Sequence, residues 1–576
     1  MNLKTFISLF VSSVLFVACS AKENAGSVEL KNARGLRPPT ADERAQDFDQ
    51  FLNLLKTYYG PYLYKEKTFG FKIEELAQSL KAESMTAKTD EEFAGYIMKM
   101  GAAMRDGHVQ ISMINSNSGV SRFSIPILIT PIEGKAIVAD ISKEIATLTG
   151  LAIGDEVLAI DGAAPFDILK TILHYSSWAT DLSNQHLIFR AFYRPSYMTA
   201  LIPTSSIAMI KAVKADGTAI NAEVAWTVER FSKTANNVIN VPKGPLNMTV
   251  PMASDYNSVV PSHIRQMGQV NPIFLTEQSQ NTYKFLPLTT SEAFRKKYEL
   301  GDKETPPIYA SLYRSEGKNV LLVRMASYHQ DDFKPAVYMK GYQALLDQYQ
   351  DIADVLVLDQ THNPGGSYCS DFYNIFGQVN DVQAVEKVRA DRKWVNDLMI
   401  VWPQEMLKDD PNSNPAEIAA TQAYGRIVES AYDKGEFLSE PFPLFSGSKF
   451  VTLKKFQWKK PMLVLIDSLA GSCGDMFPML VKANPRPTVK LFGESTMGLG
   501  GNVEDVGTLS GSRIQINMTR GMFSAYKPSG IYEDADFVEN HGVTPDIPYS
   551  VTVKDFRAGY VDYVKEFTSQ AIKLIK

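Results

Sequence analysis

The chain is 576 residues long, and at about 150 residues per domain that is room for three to four domains. Hydrophobic residues make up 45% and charged residues 21%, with 36 glycines and 30 prolines, a globular composition that excludes a collagen-like or wholly disordered chain. The formal net charge of −5 is spread without a long run, and there are three cysteines. That excludes the basic stripe of a nucleic-acid binder, a disulfide scaffold and a four-thiolate zinc site.

The first residues read as a leader. Lys4 gives a positive n-region, and Phe6 to Val17 form an apolar stretch of signal length that ends in Val17-Ala18-Cys19. A small residue directly before a cysteine resembles the lipobox of bacterial lipoproteins. The resemblance implies a signal peptide over 1–18, lipidation of Cys19 and membrane attachment by a lipid anchor. An ordinary secretory signal with an incidental cysteine is the alternative. Ser20 stands where many inner-membrane lipoproteins carry aspartate, so the analogy favours the bacterial cell envelope with an outer-membrane anchor. No other stretch approaches the ~18 apolar residues of a spanning helix, which excludes a polytopic membrane protein. Residues 19–40 read as a tether.

From 41 to 122 the pattern is that of a small helical cap. Phe48, Phe51, Leu52, Leu55 and Tyr58 recur at helical steps, followed by Ile73, Leu76 and Leu80 and then by Asp90 through Met100. The unit leads into Met104-Arg105-Asp106-Gly107-His108. Residues 123–230 switch to short β-like runs, Ser124–Thr130 and Ala136–Ile141 among them, with a helix near Phe166–Tyr175. The segment Gly154-Asp-Glu-Val-Leu-Ala-Ile-Asp-Gly162 places a short apolar strand between two turns. It resembles the corresponding segment of PDZ domains, which implies binding of extended peptide tails at a sheet edge. Residues 231–305 show no sustained period and read as a connecting insertion. From 306 to 576, short apolar strands at Val320–Val323, Val355–Leu358, Met462–Ile466 and Val489–Phe492 alternate with helices. That predicts a mainly parallel α/β core.

Two loops follow these strands: Asp359-Gln-Thr-His-Asn363-Pro-Gly365-Gly366 and Asp467-Ser-Leu-Ala-Gly471-Ser472-Cys473-Gly474-Asp475. Ligands collect at the carboxyl ends of strands in such sheets. Ser472 stands just ahead of a helix, where a nucleophile would be exposed and the Cys473 N–H could meet an oxyanion. Gly365 and Gly366 would let a second N–H approach. Taken alone, a serine in a glycine-rich turn can equally be a helix N-cap.

The Asp-x-x-x-Asn-x-Gly-Gly and Gly-Ser-x-Gly-Asp motifs, followed by Gly493-Glu-Ser-Thr496-x-Gly498-x-Gly500, resemble the C-terminal processing (tail-specific) serine peptidases, most closely their tricorn-like branch. The resemblance covers most of the chain beyond the leader except 231–305. It implies a multidomain α/β fold with a helical cap, a PDZ-like domain and a ClpP/crotonase-like catalytic core. It implies serine-type hydrolysis of extended or unfolded polypeptide without cofactor or metal. Leu499 stands where the Ser-Lys members carry their lysine, so that base is excluded here. His108 matches the histidine of the tricorn-like branch, and Glu539, in Glu539-Asn540-His541-Gly542-Val543-Thr544-Pro545-Asp546, matches its orienting glutamate. Gly107 replaces a serine of that relay, and Thr361 replaces an arginine of the first loop.

The expectation is therefore Ser472 as nucleophile, His108 as base and Glu539 orienting it, with Gly365 or Gly366 and Cys473 donating to the oxyanion. His362 and His541 are rival bases, while His174, His186, His263 and His329 stand in no motif. Cys473 as a thiol nucleophile and a catalytically decayed peptide-binding lipoprotein are the alternatives. A Cys369–Cys473 bridge is conceivable in an oxidising compartment and would crowd the site. Oligomeric state is not legible.

Overall fold

The computed structural model describes residues 39–113, 120–231, 270–288, 308–328, 335–366, 369–376, 382–409, 415–443 and 458–575. The leader, Cys19 and much of the 231–305 connector lie outside these residues. Among those described, no helix is long and apolar enough to cross a membrane.

Four helices open the described chain: α1 (Ala41–Tyr58), α2 (Tyr62–Phe69), α3 (Ile73–Ser84) and α4 (Asp90–Ala103). Thr40 caps α1 in a full capping box with Glu43, the reciprocal arrangement that satisfies two otherwise orphaned backbone donors. Phe48, Phe51, Leu55, Phe93 and Ile97 are buried between these helices. A β-rich unit follows. Its five-stranded sheet runs in the order Ile127–Ile132, Lys135–Ile141, Glu156–Ile160, Ile207–Val213, Ala219–Ala225. The strand predicted between the two turns is Glu156–Ile160, and it sits at the centre of this sheet.

The core is a seven-stranded sheet whose order in space is its order in sequence. Its strands are β1 (Leu286–Pro287), β2 (Tyr309–Ser315), β3 (Lys318–Arg324), β4 (Val355–Asp359), β5 (Met462–Ile466), β6 (Val489–Gly493) and β7 (Ile547–Pro548). The β1–β2 and β2–β3 pairs are antiparallel, and from β3 to β7 every pair is parallel. Parallel strands added in one direction through right-handed crossovers leave their connecting helices on one face. That face carries α5 (Pro335–Tyr349) and α6 (Cys473–Ala483), with Leu356, Leu358, Val464 and Phe477 in its core. The opposite face is covered by α7 (Val561–Lys573) through Val564, Phe567 and Ala571, packed on Val355, Val357, Leu463 and Leu465. Both faces of β4 and β5 are buried, which is why these strands read as unbroken apolar runs.

The connecting insertion carries regular elements where it is described. Within it, Glu277–Tyr283 is a helix and Leu286–Pro287 forms the sheet edge. A two-residue strand has no period to detect.

Candidate active site

Both predicted loops leave the carboxyl ends of adjacent parallel strands, β4 and β5. Ser472 sits at the first turn of α6 with φ 56° and ψ −116°, a left-handed backbone that costs a non-glycine residue about 1–3 kcal/mol. It occupies the N-cap position without making a capping hydrogen bond, so the helix-cap reading of this serine does not hold. Its side chain is half-buried.

Gly365 packs directly on this serine: a Cβ there would lie 2.6 Å from Ser472 Cβ and 2.9 Å from the Cys473 nitrogen, and its φ is +101°. Only glycine fits. Its N–H, however, donates to Asn363 Oδ1 at 2.9 Å, which corrects the expectation that Gly365 could serve as an oxyanion donor. Gly366 is exposed, and among the described residues neither its N–H nor that of Cys473 donates to another group. The Cys473 sulfur lies 3.0 Å from the Gly366 carbonyl oxygen, and the Cys473 nitrogen packs against Gly365, the residue before Gly366. Cys473 is bonded to Cys369 as a disulfide, with Cα atoms 5.4 Å apart. The bridge forms between the loops, and a bonded sulfur is no nucleophile.

His108 is fully buried, and neither ring nitrogen has a hydrogen-bond partner among the described residues. Burial lowers its pKa to about 4, partly offset by Asp106 and reinforced by Lys65. The ring is therefore neutral and able to accept a proton at neutral pH. Asp106 fixes the turn: Oδ1 accepts from the His108 N–H at 2.8 Å, and Oδ2 accepts from Tyr59 Oη at 2.9 Å and Thr519 Oγ1 at 2.7 Å.

Glu539 makes no hydrogen bond to the imidazole, whose ring nitrogens have no partner among the described residues, and its own oxygens bond other groups. Oε1 pairs with Lys65 Nζ, both side chains being fully buried, and Oε2 accepts from the Gly500 N–H at 2.9 Å. Burial, with Asp106 nearby, pushes the Glu539 carboxyl up to about 7, against the pull of Lys65. The segment reaches the histidine's turn by another route. Lys65 Nζ donates to the Arg105 carbonyl at 3.1 Å and to Asn540 Oδ1 at 2.6 Å, and Asn540 Nδ2 donates to the same carbonyl at 2.8 Å. Lys65, Tyr59 and Asp106 were missed in the sequence as members of this constellation. Only the Asp106-Gly107-His108 triplet hinted at one of them.

Asp475 completes the frame. It accepts from the Gly498 and Leu499 N–H groups at 2.9 Å each, and burial pushes its carboxyl up to about 7 against these bonds. Three successive amides, at 498, 499 and 500, are thus held by carboxylates from the nucleophile helix and the Glu539 loop. The Leu499 side chain is held between the two halves of the site. A Cβ at Gly107 would meet Leu499 Cδ2 at 3.1 Å and Trp178 Cδ1 at 3.2 Å, and one at Gly471 would meet Leu499 Cδ1 at 3.1 Å. The residues preceding His108 and Ser472 therefore rest on one leucine, and a side chain at 107 would crowd it. Gly107→Ser is expected to cost about 1–3 kcal/mol by overpacking. In denaturant titrations, Gly107→Ser/Leu499→Ala should lose less than the two single losses added together.

The rival histidines are engaged elsewhere. His541 Nδ1 lies 3.2 Å from the Phe537 carbonyl, and His362 Nδ1 lies 2.5 Å from Asp467 Oδ2. Beneath the first loop, buried Arg324 of β3 pairs with Asp359 at 3.2 Å and donates to the Thr361 carbonyl.

This geometry agrees with comparison to known proteins. Residues 319–549 match Peptidase family S41, and the chain carries a serine-type peptidase core. Along nearly its whole length the chain is similar to a Chlamydia pneumoniae protein, 24% identical over 573 residues, covering 91% of this chain and 89% of the relative. A Chlamydia trachomatis protein is 23% identical over 579 residues, covering 92% of each. Among solved structures, mature CPAF superposes with a TM-score of 0.70 at 21% identity, covering 93% of this chain and 98% of that one. Mature CPAF complexed with lactacystin gives 0.69 at 21% identity, covering 93% and 99%. At that identity the likeness is one of fold.

Proposed function

We propose that this chain is an endopeptidase that cuts extended or unfolded polypeptides, with Ser472 as nucleophile and His108 as general base. One observation carries the reading: Ser472 is held in a strained, uncapped turn beside the unengaged N–H groups of Gly366 and Cys473. In the reaction, neutral His108 takes the Ser472 hydroxyl proton as Oγ attacks the scissile carbonyl, and the oxyanion forms against the two amides. His108 then passes the proton to the leaving amine, and water repeats the sequence on the acyl-enzyme. Base assistance is typically worth about 10²–10⁴-fold, and each oxyanion donor about 3–4 kcal/mol. Glu539 acts at one remove, as the carboxylate that seats Lys65 against the histidine's turn.

We read the five-stranded unit as PDZ-like, its edge strands Ile127–Ile132 and Ala219–Ala225 open to a peptide strand. We read the core as ClpP/crotonase-like. The leader motif supports a lipid anchor at Cys19 and a place in the bacterial envelope. A fluorophosphonate probe tests the central claim. Wild type should be labelled and Ser472→Ala should not. An unlabelled wild type that still binds peptides would make the chain a binding protein with a decayed site.

A further inference from the structure

A second cluster of titratable side chains stands at the carboxyl end of the sheet. Asp467, the first residue past β5, meets His362 in the loop after β4. Its Oδ1 accepts from the backbone N–H of His362 at 2.9 Å and of Leu469 at 3.1 Å, while Oδ2 lies 2.5 Å from His362 Nδ1. His362 is itself in the left-handed region, with φ 55°, a conformation uncommon outside glycine. The next residue carries the coupling forward. The Asn363 carbonyl accepts from the Gly471 N–H at 2.9 Å, and its side chain accepts from the Gly365 N–H at 2.9 Å and donates to the Met325 carbonyl at 2.8 Å. The chain of contacts thus runs from Asp467 to the residue beside Ser472 and to the loop that presents Gly366. The Cys369–Cys473 bridge holds the same two loops at their far end.

Further polar side chains pack around this pair. His186, from the β-rich unit, lies 3.0 Å by Nε2 from Ser468 Oγ, and Ser468 donates to Glu494 Oε2 at 3.0 Å. Burial works to raise the Asp467 carboxyl, and the charge and hydrogen bonds of His362, with His186 behind, outweigh it and hold the carboxyl below the usual range. Tyr560, at the start of α7, is raised by burial and then by Asp467 and Asp555. Tyr563 is raised by burial, then by Asp359, Asp467 and Glu494.

We propose that His362 and Asp467 are positioning residues, a latch that holds the Asn363–Gly366 loop in register with Ser472 so that the Gly366 and Cys473 amides face the same oxygen. The proposal rests on Ser472 being the nucleophile and deepens that reading. Neither residue need touch substrate, so loosening the latch should lower the rate of acylation and leave substrate affinity alone.

The test is steady-state kinetics on a peptide substrate together with the rate of fluorophosphonate labelling, for wild type, His362→Ala, Asp467→Asn and the double variant. Expected are a fall of about 10–10²-fold in kcat, with KM within about twofold, and a parallel fall in labelling rate. The double variant should be no slower than the worse single one, since either change opens the same latch. His362→Asn keeps a residue tolerant of the left-handed region and an amide donor, and should recover most of the rate. It also keeps the test open if His362→Ala does not fold. Unchanged kcat, a rise confined to KM, or single effects that multiply in the double variant would overturn the latch while leaving the nucleophile in place. A wild type that takes no label overturns the underlying reading, and the latch with it.

Discussion

His108→Ala lowers kcat by about 10²–10⁴-fold at pH 8 while leaving fluorophosphonate-sized ligands able to enter the site. The wild-type pH profile carries the sharper signature. A general base works only when unprotonated, so activity is lost as pH falls through its folded-state pKa. An ordinary histidine would set that limb near ~6.5. Here burial lowers the ring to about 4, so the histidine's limb in kcat/KM lies well into the acid range. A shallower limb is expected higher up, from Asp475 and Glu539, whose carboxyls are pushed up to about 7 and whose bonds to the 498–500 amides weaken on protonation. The same burial has a stability cost of known sign. Unfolding lets His108 take up its proton near ~6.5, while the folded ring refuses it until about pH 4. The unfolded state therefore binds more protons across that window, and stability falls as pH drops through it. Initial-rate assays after brief pH jumps separate the two effects. A histidine limb at its ordinary position would sink the assignment of His108 as a buried base.

Lys65→Met is expected to cost about 3–5 kcal/mol, the usual result of stripping a buried carboxylate of its partner, since Lys65 and Glu539 are both fully buried. Lys65→Met/Glu539→Gln should recover most of that loss, because no uncompensated charge remains. The deficit also has a pH dependence. Without the lysine, the already raised Glu539 carboxyl rises further, so the folded state keeps a proton that the unfolded state releases near ~4.3. Stability of the single variant must then fall as pH rises from about 5 to 8, and melting temperatures across that range read it directly. Catalysis should suffer even in folded molecules, because Lys65 also holds the Arg105 carbonyl beside the histidine's turn. A variant with wild-type stability and kcat would show that the ion pair is incidental.

How much of this was legible in the sequence follows from how each feature is encoded. β4, β5 and β6 announce themselves as short apolar runs because both faces of the sheet are covered, and the loops after them carry glycines whose spacing is itself a signal. Ser472, Gly366 and Cys473 could be placed on that basis, whereas His108 was named through the family resemblance of the Asp106-Gly107-His108 turn. Lys65 could not, since nothing local marks a lysine on a helix as buried and its partners, Arg105, Glu539 and Asn540, come from distant stretches of chain. The same holds for Arg324, whose cation lies buried at the end of an apolar strand, and for His186, which stood in no motif and meets Ser468 only across the boundary between two units. Gly365 was misread for a different reason. The spacing placed it beside the nucleophile, as it is, but only three-dimensional contact shows that its amide is spent on Asn363.

The sequential strand order also bears on how the protein is made. The helices of one sheet face are threaded between strands and can pack as the strands emerge, whereas the other face of β4 and β5 waits for Val561–Lys573. Glu539, which seats Lys65, is synthesised only shortly before that helix. A chain lacking its last helix would hold the nucleophile loop yet leave one face of β4 and β5 uncovered. The far face of the sheet and the surroundings of His108 are both completed by residues that follow Ser472 in the chain.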